Sequence, residues 1–196
     1  MTNPLSRRDV LKSLTMGTVG SALGTIPLEA AEYAHALVAA EKRTGAGGYK
    51  PKYFSAHQYK ILRMLCETIL PSDGDSGGAI EAGAPEFIDL LTSENPEYQL
   101  KLGGGLMWLD SRCADQFGSV YANCTTPQQK EMLDSIAYRE RAEKDAGLAQ
   151  GVGFFSFLRN LTADGFFTSK IGIKYLGYVG NTFLTDFPGC PPVEGV

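Results

Sequence analysis

Histidine is scarce in this sequence, with only His35 and His57 among 196 residues. His35 lies in a segment predicted to be removed, and the one remaining histidine cannot build a typical zinc site. A serine hydrolase is excluded as well, since the chain has no Gly-x-Ser-x-Gly elbow. We therefore interpret His57 as an isolated surface residue. We predict no catalytic, cofactor-binding or metal-ligating residue in this chain.

Cysteine is also sparse, and its spacing excludes the common cysteine motifs. The four residues, Cys66, Cys113, Cys124 and Cys190, form no C-x-x-C pair and no C-x-x-C-H haem site. In an oxidising compartment an even count permits disulfides, with three pairings. We favour Cys113 with Cys124, which flank a predicted helix end and turn, and so short a loop would stabilise the fold by roughly 3 kcal/mol. For Cys66, a buried free thiol and a bridge both stay open.

The chain lacks an excess of basic residues, having 18 Lys and Arg against 22 Asp and Glu and a net charge of -4. Binding nucleic acid requires a basic face, so nucleic acid is excluded as a partner. A long apolar run is missing too. Residues 14–26 are apolar, but the stretch is short and contains Gly, Ser and Thr. It is typical of a removable hydrophobic region rather than of a membrane span.

The N-terminus does carry a specific motif. Ser6-Arg7-Arg8-Asp9-Val10-Leu11-Lys12 resembles the twin-arginine export signal of bacteria, with Arg7 and Arg8 as the export residues. Downstream, Ala34-His35-Ala36 fits an A-x-A cleavage site. We therefore predict three segments: a signal peptide and cleavage region at 1–40, a linker at 41–54 and a helical domain at 55–196.

Helix start signals recur through the predicted domain, whereas no alternation of apolar and polar residues persists long enough for a sheet. The predicted fold class is mostly α, an irregular single-domain helical bundle. Each start combines a capping side chain or a proline at the first helical position with an apolar stripe behind it. The predicted starts are Ser55, for a helix to about Leu70, then Ala84 and Asn95, each before proline, and Thr126, for a helix to about Asp145.

Gly103-Gly104-Gly105 falls inside the helix that starts at Asn95. Each glycine costs about 1 kcal/mol relative to alanine inside a helix, unless another backbone packs closely there. We expect either a break or a tight helix crossing beside Trp108. The run is not a dinucleotide-binding fingerprint, because no β-strand precedes it.

The last third is rich in aromatic residues and broken by glycines. Residues 154–183 hold eight of the 20 aromatic residues of the chain. We predict a helix over 154–163 and, from Asp164 onward, a long non-regular segment. Such a cluster suits the anchor residues of a partner interface. It also suits the core of the domain itself, and both interpretations stay open.

Several short motifs together make the chain resemble a known family. They are the twin-arginine leader, Thr68-Ile69-Leu70-Pro71-Ser72-Asp73, Gly165-Phe166-Phe167-Thr168-Ser169 and Leu176-Gly177-Tyr178-Val179-Gly180-Asn181. Their order and spacing resemble the small subunit, subunit 3, of the gluconate 2-dehydrogenase type of membrane-associated sugar dehydrogenase.

The resemblance implies an accessory subunit without catalytic activity. Such a subunit binds a large flavoprotein of the glucose-methanol-choline class, assists its maturation and carries it through twin-arginine export into the periplasm. FAD then belongs to the partner, a cytochrome c subunit often takes the electrons, and the complex associates with the membrane. The substrate stays open among sugar acids, aldoses, polyols and glycosides. The alternative function is a self-sufficient periplasmic binding or structural module.

We place the predicted partner interface in the aromatic last third of the chain. The candidate residues are Phe154, Phe155, Arg159, Phe166, Phe167, Thr168, Ser169, Tyr175, Tyr178 and Asn181.

Overall fold

The structure, a computed structural model, describes residues 28–44, 49–73 and 77–178. Every regular element within these ranges is helical, which confirms the mostly helical class. A π-helical turn, Gln99–Gly103, joins the short helix over Pro96–Tyr98 to the helix that begins at Gly104. The helices are α1 (Leu28–Thr44), α2 (Ala56–Ile69), α3 (Ala79–Ala82), α4 (Ala84–Glu94), α5 (Pro96–Tyr98), α6 (Gly104–Phe117), α7 (Thr126–Ile136), α8 (Arg139–Lys144), α9 (Ala149–Phe167) and α10 (Lys170–Tyr175).

The capping signals place most of the helix starts correctly. At α2 the Ser55 hydroxyl accepts the Gln58 N–H at 3.3 Å, and the Gln58 side chain accepts the Ser55 N–H at 3.1 Å. This reciprocal pair satisfies two backbone donors that the first turn leaves open. Asn95 caps α5 in the same sense, accepting the Glu97 N–H at 2.9 Å. The predicted starts at Ala84 and Asn95 are therefore confirmed.

The helix predicted over 126–145 differs from the structure at both ends. Its N-cap is Thr125, which shares the capping box with Gln128, so the predicted cap was one residue late. Its C-terminal end is at Ile136, where the buried stripe stops. Tyr138 then adopts an extended backbone and starts α8, whose charged residues bury no side chain. Because α8 has no apolar face, core packing does not stabilise α7 and α8 as one continuous helix.

Helix α9 is longer than predicted and forms the centre of the bundle with α4. The expected change to non-regular chain at Asp164 was wrong, because α9 continues to Phe167. Gly165 is buried against α4, and a Cβ there would lie 3.1 Å from Ala84 Cβ and from Phe87 Cδ1. Glycine thus lets the two helices approach, and their packing offsets its low helix propensity.

The glycine run marks a tight crossing of α6 and α9, as expected. A Cβ on Gly105 would lie only 2.0 Å from Cδ2 of Phe154, so the phenyl ring occupies that space. Gly151 of α9 receives Trp108 of α6 in return, and a Cβ there would lie 2.2 Å from the indole. In each helix, therefore, one glycine leaves space that an aromatic ring of the other helix fills.

A buried carboxylate attaches the segment before α2 to α4. Asp89 is fully buried and accepts four hydrogen bonds. One comes from the Tyr49 hydroxyl at 2.7 Å, and three come from the N–H groups of Lys52, Tyr53 and Phe54 at 2.6, 3.1 and 3.1 Å. This set of donors compensates the cost of burying the carboxylate. It also fixes where the predicted linker joins the domain.

Helix α1 lies where a signal peptide and a linker were predicted. The boundary predicted at residue 40 falls inside this helix, which continues to Thr44. One face of α1 packs on α4, and four of its side chains belong to the common core. The buried residues of α1 are Ala30, Ala31, Ala34 and Val38.

Candidate partner interface

An exposed aromatic surface forms where α9 ends and α10 folds back. We define this C-terminal aromatic surface as Phe167, Tyr175, Leu176 and Tyr178. Their exposed fractions are 37%, 56%, 59% and 48%. Phe166 lies beneath, with its ring centroid 5.1 Å from that of Phe167 and 6.2 Å from that of Tyr175. A patch of large apolar side chains at one place marks an interaction site more often than scattered ones do.

The backbone between the two helices creates this surface. Ser169 caps α10 by accepting the Gly172 N–H at 3.0 Å, and its own hydroxyl donates to the Phe166 carbonyl at 2.7 Å. A Cβ on Gly172 would lie 2.1 Å from that same carbonyl oxygen, so only glycine allows the close return. The turn directs Tyr175 and its neighbours away from the core.

The structure divides the ten candidate interface residues by burial. Phe154, Phe155 and Phe166 fill the core of this chain, and Ser169 is a buried cap. Thr168 is half-buried, while Arg159, Phe167, Tyr175 and Tyr178 are exposed. Asn181 and the leader residues Arg7 and Arg8 lie outside the described residues. The interface stays a prediction, and its accessible members are the four exposed side chains.

A cavity of about 560 Å³ lies between α1, the end of α3, the turn at Thr168 and Ser169, and α10. His35 of α1 forms part of its wall. The imidazole stacks on Phe87 at a centroid distance of 4.8 Å, and its Nε2 lies 3.0 Å from the Thr168 hydroxyl. The same hydroxyl lies 2.6 Å from the Asp164 carbonyl oxygen, which can accept its hydrogen. Burial lowers the pKa of His35 to about 4, so the ring is neutral at pH 7.

A second groove, of about 780 Å³, lies between the π-helical turn, α8 and α9. Leu100 stands at its edge and is 77% exposed. Lys101 lies over the Phe157 ring, 4.8 Å from its centroid, and pairs with Glu97 at 2.7 Å. Sequence reasoning missed this groove, and the one signal for it was the glycine run, whose first residue, Gly103, ends the π-helical turn.

His57 is paired rather than isolated, which corrects the prediction. Its Nε2 lies 2.6 Å from Oδ2 of Asp110, and Oδ1 of the same carboxylate accepts the Tyr121 N–H at 3.0 Å. The pair thus joins the start of α2 to α6 and to the short helical turn at Tyr121. These contacts give His57 a structural role in holding three elements together.

The three cysteines among the described residues lie in the core. Cys113 and Cys124 are close enough for their thiols to hydrogen-bond, and burial raises the pKa of Cys113 to about 12. Both are free thiols in this structure, so the disulfide between them stays a prediction. Cys66 is also a buried free thiol, 3.6 Å from the Thr162 hydroxyl. Cys190 lies outside the described residues.

Within 28–44, 49–73 and 77–178, no group of three or more His, Cys, Asp or Glu side chains is arranged to hold a metal ion. Over the same ranges, no helix combines the length and the apolar character needed to cross a membrane.

Comparison with known proteins gives one match. No curated protein and no solved structure is significantly similar to this chain. The family model of gluconate 2-dehydrogenase subunit 3 matches residues 56–189, about two thirds of the sequence. That range runs from the first residue of α2 through the C-terminal aromatic surface, and it leaves α1 outside. The chain therefore belongs to the gluconate 2-dehydrogenase subunit 3 family.

Proposed function

We propose that this chain is the non-catalytic small subunit of a periplasmic FAD-dependent dehydrogenase of sugars, sugar acids or glycosides. It binds the glucose-methanol-choline flavoprotein, assists its maturation and carries it through twin-arginine export. The flavin belongs to the large subunit, and a cytochrome c subunit accepts the electrons. Through that complex the chain associates with the membrane.

The family match carries this proposal, because its name describes one subunit of a larger dehydrogenase. The C-terminal aromatic surface supports it by supplying a docking site of the expected chemistry. Aromatic residues are enriched at protein interfaces, and tyrosine is enriched among the residues that carry most of the binding energy. Three of the four side chains of this surface are aromatic, and two of them are tyrosines. The Arg7-Arg8 motif at the N-terminus supports the export role.

Co-expression with a large flavoprotein subunit of the glucose-methanol-choline class from the same organism tests the proposal. We expect the two chains to purify together near 1:1 with the visible bands of bound flavin. A colourless, monomeric and stable small chain would instead support the self-sufficient binding module. Changing Arg7 and Arg8 to lysine should retain both chains in the cytoplasm, and continued export of either would contradict the carrier role.

The interface is tested by single exposed side chains, because removing a core residue would unfold the chain. Tyr175→Ala should weaken co-purification of the flavoprotein by tenfold or more, the effect of losing one anchor residue. Tyr138→Ala is the matched control, since Tyr138 is an equally exposed tyrosine outside the C-terminal aromatic surface. Equal recovery of the flavoprotein with both variants would show that this surface is not part of the interface.

A further inference from the structure

The cleavage motif predicted at Ala34-His35-Ala36 lies within the folded domain. All three residues are in the helical backbone of α1, which extends eight residues beyond Ala36. Ala34, which precedes the histidine, has no exposed surface at all. A processing peptidase requires an accessible, extended segment, and a packed helix offers neither.

His35 at the centre of the motif contacts two other helices. It stacks on Phe87 of α4, and it hydrogen-bonds Thr168 at the end of α9. Phe87 is fully buried, and the imidazole covers one face of its ring. Removing residues up to Ala36 would uncover that face of the ring and delete the hydrogen bond between His35 and Thr168.

The end of α1 makes charged contacts with two further segments. Lys42 pairs with Glu86 at 2.9 Å, and Glu86 is a buried residue of α4. Glu41 pairs with Lys52 at 2.6 Å, beside the segment that Asp89 holds. Arg63 of α2 also lies 3.6 Å from Glu86, so the buried carboxylate has two cations, and its pair with Lys42 fixes the C-terminal part of α1 to α4.

From these contacts we infer that α1 is a permanent part of the mature protein and that Ala34-His35-Ala36 is not a processing site. Any removal of the leader takes place before Leu28. This inference rests on the proposed function in one respect only: the chain must be exported to meet the processing peptidase. The packing of α1 is independent of it.

The first experiment determines the N-terminus of the exported protein by intact mass and N-terminal sequencing. We expect every mature chain to begin before Leu28 and to retain the whole of α1. A mature chain that begins at Leu37, or elsewhere within 28–44, would overturn the inference. If no chain is exported, the export proposal fails, and the second experiment still tests the packing of α1.

The second experiment compares two alanines of the same motif in protein purified from the cytoplasm. Ala34→Glu places a carboxylate in the core and should lower the thermal midpoint by roughly 10 °C or abolish folding. Ala36→Glu is the matched control, because Ala36 is exposed and glutamate favours helices. It should change the midpoint by less than about 2 °C. Equal midpoints for the two variants would contradict the inference.

Truncation gives a third readout with no new side chain. A chain that begins at Leu28 should unfold at the same temperature as the full-length chain. A chain that begins at Leu37, which lacks the first nine residues of α1, should lose roughly 10 °C or its cooperative transition. Identical unfolding of the two chains would show that the first half of α1 is dispensable.

Discussion

Helix α9 and the chain that follows it use the same kind of side chain for opposite purposes. In α9, Phe154, Phe155 and Phe166 are buried, whereas Tyr175 and Tyr178 after the helix are about half exposed. The adjacent Phe166 and Phe167 show the change most clearly, with 4% and 37% of their surfaces exposed. Aromatic density therefore does not identify an interface, because helical phase and the turn at Ser169 decide which rings face water.

The largest expected effect tests this division directly. Phe166→Ala should destabilise the domain by about 3–5 kcal/mol, the usual cost of deleting a buried phenyl ring. Phe167→Ala should cost about 1 kcal/mol or less, because the ring is already partly hydrated. Chemical denaturation of both variants measures the difference. Equal losses in the free energy of unfolding would mean that the two rings are equally buried, which would contradict the assignment of Phe166 to the core and Phe167 to the surface.

Acidification tests the contact between α1 and the end of α9. His35 has a folded pKa of about 4 and an unfolded pKa near 6.5, so only the unfolded chain binds its proton between these values. The contribution of His35 to the free energy of unfolding is thus complete above pH 6.5, and it declines as pH falls toward 4. At pH 5 the decline amounts to about 2 kcal/mol. The stability lost in His35→Gln should be smaller at pH 5 than at pH 7.5 by this amount.

The wild-type profile alone would hide the effect. Burial raises the pKa of Asp164 to about 6, so the folded chain binds that proton before the unfolded chain does. Asp164 therefore makes the fold more stable as pH falls from 6 to 4, opposite in sign to His35. Asp164→Asn is the control, and its gain in stability should be greatest at pH 7.5. A pH-independent difference between wild type and His35→Gln would contradict the account.

The smallest effects concern glycines within helices. Gly105→Ala should cost about 1 kcal/mol, because the clash with Phe154 exceeds what alanine gains in helix propensity. Gly153→Ala should instead stabilise the fold by up to about 1 kcal/mol, since Gly153 is exposed and a Cβ there meets nothing within 4 Å. Thermal unfolding distinguishes the two signs. A stabilising Gly105→Ala would show that α6 and α9 cross less tightly than described.

Local signals predicted the parts of the fold that depend on neighbouring residues. The capping box at Ser55 and the Asn95 cap involve residues within three positions, so the sequence displays them completely. The tight crossing at Gly105 was also predictable, because a glycine run inside a helix needs a compensating close approach. What the sequence could not name was the partner of that approach, Phe154.

The failures have a common physical cause, which is tertiary packing. Gly165 predicts a break by propensity, yet its contact with α4 keeps α9 helical. The small residues of α1 match the composition of a signal peptide and its cleavage motif. The same small residues also form a helix face that packs closely on α4. Asp89 belongs to no motif, because its donors lie at residues 49 and 52–54, about 35–40 positions away. The interface and the export role stay predictions.

The burial of the neighbouring thiols of Cys113 and Cys124 links their oxidation to the order of folding and exposure to an oxidant. Thiolates, not thiols, react with oxidants, and a pKa of about 12 leaves Cys113 almost wholly protonated. A chain that folds before it meets an oxidant should therefore oxidise at Cys113 more slowly than an unfolded chain does. The fraction of oxidised pairs in a purified sample would thus depend on whether folding or exposure to the oxidant came first.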